Sequence, residues 1–270
     1  MQNPDIEEET PQTRTGFIYR WQLCHLLAVE YNLVPPRADH NAADVALTEL
    51  HTNAAQALNH STPLKKIFSK MPRGLLAWFD HGTSSFLISI EPETPQKKVL
   101  SKTSTMIGLF GSVRSLESTV KVLTFFCGRH TADGATFQGG SGLMRALTLQ
   151  LVSIIPIPLV PLPKGNDQSD VVKQLEAGDL EMIFSVFTTA LEQLSEDITV
   201  FVLIHGAANW NSTEDRRGGI CTVVQSLREE VMRLRNVNRG PWIKVLVTNP
   251  SSDQTAEWSI TEEDIIRLDG

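Results

Sequence analysis

The chain has 270 residues, 41% of them apolar and 20% charged, the make-up of a globular protein with one large core, or one core and a small appendage. Its formal charge of −7 offers no electrostatic footprint for nucleic acid or an anionic membrane. Three widely separated cysteines, Cys24, Cys127 and Cys221, argue against a disulfide framework and fit a reducing, cytoplasmic compartment.

No basic and then apolar leader opens the chain. The greasiest stretch, Leu147 to Pro163, is cut by Gln150 and four prolines, so neither a signal peptide nor a membrane span is expected. Residues 1–15 hold Asp5, Glu7, Glu8 and Glu9 and read as a disordered acidic tail. Residues 16–62 read as a helical preface. The spacing of Phe17, Trp21, Cys24, Ala28 and Tyr31 predicts a helix closed by Pro35 and Pro36, and an Ala-rich helix is expected from Asn41 to Leu58. Residues 63–270 then alternate strands and helices.

Apolar runs at Leu75–Asp80, Val120–Cys127, Thr199–His205 and Trp242–Thr248 are continuous, as strands buried on both faces require. Helices are expected between them. One carries the stripe Met106, Leu109, Phe110, Val113 and Leu116; another starts near Leu143, after a Gly-rich loop from Gly128 to Gly142. Ile154 to Pro163 excludes both helix and central strand, because proline alternates with aliphatics there. Asp179 is a candidate N-cap for a helix bearing Leu180, Ile183, Phe187, Leu191 and Leu194. Gly219 to Arg235 keeps an apolar face, with Glu229 and Arg233 expected to pair on the other, and Asp264 to Leu268 closes the sheet as an edge strand. The expected fold is α/β: a three-layer α/β/α sandwich around a mostly parallel five-stranded sheet, its strands ordered 5-1-4-3-2 across the sheet and a small helical segment before it.

In such a sheet, ligands sit beyond the carboxyl ends of the strands. After Asp80 stand His81, Gly82, Ser84 and Ser85, with hydroxyls but without the lysine that a phosphate loop places on the β/γ-phosphates. The run that should end in a magnesium-binding carboxylate ends in His205, and the next ends in Thr248. His81, Gly82, Ser84, Ser85, His205 and Thr248 are thus candidate, vestigial cofactor-binding positions, and no residue is assigned as catalytic or as a metal ligand. An α/β-hydrolase reading would need G-x-S-x-G, and the nearest candidate around Ser141 has the wrong spacing and order. Cys127 with His130 lacks an orienting partner for thiol catalysis. The seven histidines show no metal-ligand spacing.

Val122, Leu123, Thr124, Phe125, Phe126, Cys127 and Gly128, followed by Leu143, Met144, Arg145, Ala146, Leu147 and then Gln150, Leu151, resemble the second strand and following helix of fungal NACHT-type and nephrocystin-like P-loop NTPases of the STAND class. The resemblance extends from about residue 64 to 270, with Val200–Gly206 at the place of the magnesium-site strand and Lys244–Asn249 at that of the sensor strand. It implies the fold of a signalling NTPase. The missing Gly-Lys-Ser loop and acidic pair put hydrolysis in doubt, and with it enzyme activity of any kind. The function expected is that of a non-hydrolysing, cytoplasmic regulatory or protein-interaction module with a protein partner and no cofactor. ATP and magnesium enter only under the alternative, a nucleotide-gated NTPase with an unorthodox phosphate loop. No nucleic-acid or membrane partner is expected, the oligomeric state stays open, and the chain is read either as a fragment or as a pared-down relative.

Overall fold

The structure is a computed structural model that describes residues 16–28, 78, 84–90, 118–131, 137–211, 213–237, 241–261 and 264–267. The helices expected at 41–58 and 101–116 lie outside the described residues. Chain order begins with β1 (Phe17–Tyr19), α1 (Arg20–Ala28), β2 (Ser85–Ile90) and β3 (Val120–Phe126). It continues with α2 (Gly139–Ile154), β4 (Leu159–Pro161), α3 (Gln168–Glu176), α4 (Leu180–Leu191) and β5 (Thr199–His205). It ends with α5 (Glu214–Val237), β6 (Trp242–Thr248), α6 (Ser252–Glu257) and β7 (Ile265–Arg267).

Five strands form one parallel sheet in the spatial order β3-β5-β6-β2-β7, and β1 pairs antiparallel with β4 in a separate two-stranded ribbon. The two strands of the ribbon are additional to those expected in the sheet. The strand beside β6 is also displaced along the sequence: it is Ser85–Ile90, not Leu75–Asp80. Trp78, the described residue of the latter run, is helical and packs edge-on against Phe201 at 5.6 Å. Ile88 carries the branched Cβ that suits a pleated surface and is buried there.

One sheet face presents Leu123, Phe125, Val202, Ile204, Val245 and Val247, all buried in the main core. α2 lies over β3, and α5 over β6 and β2. The opposite face carries Phe201, Leu203, Leu246 and Leu87, which are buried too. α4 packs on the far side of α2. Helix starts follow local chemistry: Asp179 accepts from Met182 N at 2.7 Å, and Asp167, not foreseen as a cap, accepts from Asp170 N at 2.9 Å to open α3. The helix expected from Phe17 begins only at Arg20, because Phe17–Tyr19 pairs with Leu159–Pro161. The proline-rich segment thus does form a strand, but one confined to a ribbon edge, where a missing N–H is tolerated. Gly139–Gly142, expected in a loop, forms the first turn of α2.

Two polar side chains join these layers. Arg145 is fully buried on α2 and donates through Nη1 to Leu26 O at 2.9 Å and through Nη2 to Leu175 O. Both carbonyls belong to last turns, of α1 and of α3, where backbone acceptors lack intrahelical donors and the helix dipole is negative. One guanidinium therefore docks two helix ends on a third helix, and α1 enters the common core through Leu23, Leu26 and Leu27. Gln150, one turn and a half further along α2, lies against the edge strand β3. It accepts from Thr124 N at 2.9 Å and donates to Thr124 O at 3.0 Å, copying the pairing of an absent neighbour strand.

Where α2 and α5 cross, a Cβ on Gly140 would stand 2.5 Å from Gly219 O, so glycine at both positions permits the approach. The expected Glu229–Arg233 pair is replaced: Arg233 binds Glu230 through two 2.7 Å hydrogen bonds and Glu192 at 3.1 Å.

Candidate functional site

Parallel strands align their carboxyl ends, and β5 and β6 bring His205 and Thr248 together there. Nδ1 of His205 lies 2.7 Å from Thr248 Oγ1, and the same oxygen accepts from Gly206 N at 3.2 Å. The hydroxyl keeps a second lone pair beside the one taken by Gly206, so the direction of its bond with Nδ1 follows the tautomer of the ring. Desolvation keeps that ring neutral, lowering the His205 pKa to about 4. The ring is part-buried by accessible surface yet closely surrounded by protein, with Phe126 edge-on at 5.7 Å.

The turn after β5 is self-contained. Gly206 has φ +73°, a left-handed conformation natural to glycine, and Asn209 Nδ2 donates back to Gly206 O at 2.8 Å. Gln254, buried in α6, donates to Ala207 O at 3.1 Å while closing a capping box with Ser251. Ala208 N donates to Asn249 O, and Asn249 itself sits at φ +50°. The loops after β5 and β6 are thereby bound to each other. Gln254 and the Ala208–Asn249 backbone bond carry this coupling, while Asn209 closes its own turn; a polar residue behind a strand-end loop is the sole sequence signal, and it does not specify a partner.

Ser84 and Ser85 do not belong to this edge. Ser85 is in register with Lys244 and Ser89 with Thr248, so the two serines sit at the amino end of the sheet, roughly 13 Å along the strand from Thr248. Ser84 is buried and its Oγ accepts from Ile243 N at 3.1 Å, an amide-capping role. The misplacement follows from reading the strand ten residues early. His81 and Gly82 lie outside the described residues, as do the residues directly after β2. Of the four candidate positions among the described residues, only His205 and Thr248 are brought together at the carboxyl edge.

The other chemistries find no geometry. Cys127 is fully buried, and burial pushes its thiol pKa far upward, so it is a neutral thiol. His130 stacks on Phe125 at 4.6 Å. Ser141 donates to Gly178 O at 2.7 Å from the first turn of α2, an α4-anchoring bond unlike that of a nucleophile on a strained turn. Among the described residues no three His, Cys, Asp or Glu side chains are grouped to hold a metal ion, and no helix is long and apolar enough to cross a membrane. The ends of β5 and β6 place no carboxylate for a magnesium ion. The first acidic side chains after β5 and β6 are Glu214 and Asp253, both already within helices, and the position that should ligate the ion is a neutral histidine bonded to Thr248.

No protein-family model matches the chain, and no curated protein matches it. Among solved structures it is similar to a chain in the structure of Drosophila ORC bound to poly(dA/dT) DNA and Cdc6, at a TM-score of 0.36 and 10% identity, over 87% of this chain and 33% of that one. The chain thus spans about a third of that neighbour's length. So loose a likeness carries no argument about the site.

Proposed function

We propose that this chain is a non-hydrolysing, P-loop NTPase-like α/β domain that serves as a regulatory or protein-interaction module in the cytoplasm. The observation that carries the reading is the His205–Thr248 contact. Phosphoryl transfer depends on a cation held by acidic side chains and on fixed positive charge at the transferring group. At the end of β5 the chain has instead a neutral imidazole spent on Thr248. The resemblance of the β3–α2 segment to STAND-class NTPases supports the fold part of the proposal, and the charge of −7 favours a protein over a nucleic-acid or membrane partner.

Isothermal titration with ATP and magnesium tests it: no heat of binding is expected, and micromolar affinity would overturn the reading in favour of a nucleotide-gated switch. In parallel, His205→Ala should leave phosphate release at the buffer level. Turnover above buffer that disappears in His205→Ala would show that the site is catalytic.

A further inference from the structure

We infer that the β1–β4 ribbon is the docking surface of this module, and that it takes an extended, lysine- or arginine-bearing segment of a partner protein as a third strand along β1. The inference rests on the interaction-module reading above, and adds to it the surface and the chemistry of the occupant.

The ribbon has two unlike faces. Ile18 and Val160 point into the main core. Phe17 and Tyr19, opposite Pro161 and Leu159, point the other way. Phe17 is 53% exposed, Tyr19 54% and Trp21 62%, with Tyr19 and Trp21 stacked at 6.3 Å. Three large aromatic side chains so far out of the core, and contiguous, form a patch of the kind that marks contact sites; scattered apolar residues do not.

The backbone on that ribbon is open on one side. Leu162 N donates to Gly16 O and Arg20 N to Pro158 O, so residues 16, 18 and 20 face β4, and the N–H and C=O of Phe17 and Tyr19 face outward. Among the described residues the ribbon carries no third strand. The outer edge of β4 is blunted by Pro161, which has no N–H, whereas β1 has no proline or lysine to guard it. An extended peptide can therefore pair with Phe17 and Tyr19 alone, in the manner of strand addition.

Charge selects the peptide. The protein as a whole is at −7. Aromatic faces attract ammonium and guanidinium groups, whose aliphatic stems also cover ring surface. In an added strand, alternate residues would lie beside Phe17 and Tyr19 as basic side chains, and the intervening ones would continue the Ile18 face as apolar side chains.

The test uses the full chain and a fluorescent octapeptide alternating lysine and valine, with a glutamate–valine octapeptide as its control. Anisotropy should show saturable binding of the lysine peptide only. Trp21→Ser should weaken it about tenfold, as expected when a packed aromatic anchor is lost. Phe17→Ser and Phe17→Pro separate side chain from backbone: both remove the ring, but only proline removes the outward N–H, so Phe17→Pro should bind more weakly than Phe17→Ser. No binding of the lysine peptide, equal binding of the glutamate peptide, or identical affinities for the two Phe17 variants would each overturn the inference. Sedimentation that finds a dimer dissolved by Trp21→Ser would overturn it too, by assigning the face to a second copy of the chain. The ATP titration is independent of this surface, so a failure of the non-hydrolysing reading is recognised separately.

Discussion

At the carboxyl edge of the sheet, Thr248, His205 and the Gly206 amide satisfy one another, Asn209 ties the adjoining turn back onto itself, and Gln254 ties it to α6. Along β1 the arrangement is reversed: the amides and carbonyls of Phe17 and Tyr19 face outward beside exposed rings. The first region resembles a ligand site by its place in the fold and is built as a joint. The second lies away from the strand ends where ligands usually sit, and has the unspent hydrogen-bonding and apolar capacity that binding requires. Position in a fold names where to look, and the partners of the polar groups decide what is there.

If the interior is a set of joints, cutting one should be costly. Arg145→Ala removes the donors to Leu26 O and Leu175 O and should destabilise the protein by about 3–6 kcal/mol, from two charge-assisted hydrogen bonds at about 1.5–3 kcal/mol each. Urea unfolding measures it, and a loss below about 1 kcal/mol would show that these bonds do not hold α1 and α3. Next in size is the helix crossing. Gly219→Ala puts a Cβ 2.5 Å from Gly140 N, which the backbones can relieve only by separating, at a cost of about 2–3 kcal/mol.

A smaller effect sharpens the account of the closed edge. His205 has its pKa lowered to about 4 when folded, against about 6.5 unfolded. The unfolded chain therefore binds more protons between these values, and stability is complete above about pH 6.5 and is lost as pH falls toward 4. Between pH 7.5 and 4.5 the His205 contribution should be about 2 kcal/mol. It is read as the difference in urea-midpoint shift between the native protein and His205→Asn, since carboxylates titrate in both. Equal shifts would mean that His205 is protonated at little cost. Smallest of all, Trp21→Ser on the open ribbon should change stability by no more than about 0.5 kcal/mol, and a larger loss in thermal melting would make the ring structural.

The sequence by itself determined the α/β class, the strands at 120–126, 199–205 and 242–248, the Asp179 cap and the α5 face. Each rests on a run or a spacing whose burial pattern is local: a strand covered on both sides needs continuous apolar residues, and a cap needs only its own turn. Only tertiary structure settled 85–90 as the strand beside β6, through its register with Lys244 to Thr248. It alone made a strand of Phe17–Tyr19, whose partner lies more than 130 residues away. It also made internal bonds of Arg145, Gln150 and His205. A side chain's hydrogen-bond partner is set by the packing of distant segments, which a linear pattern does not record.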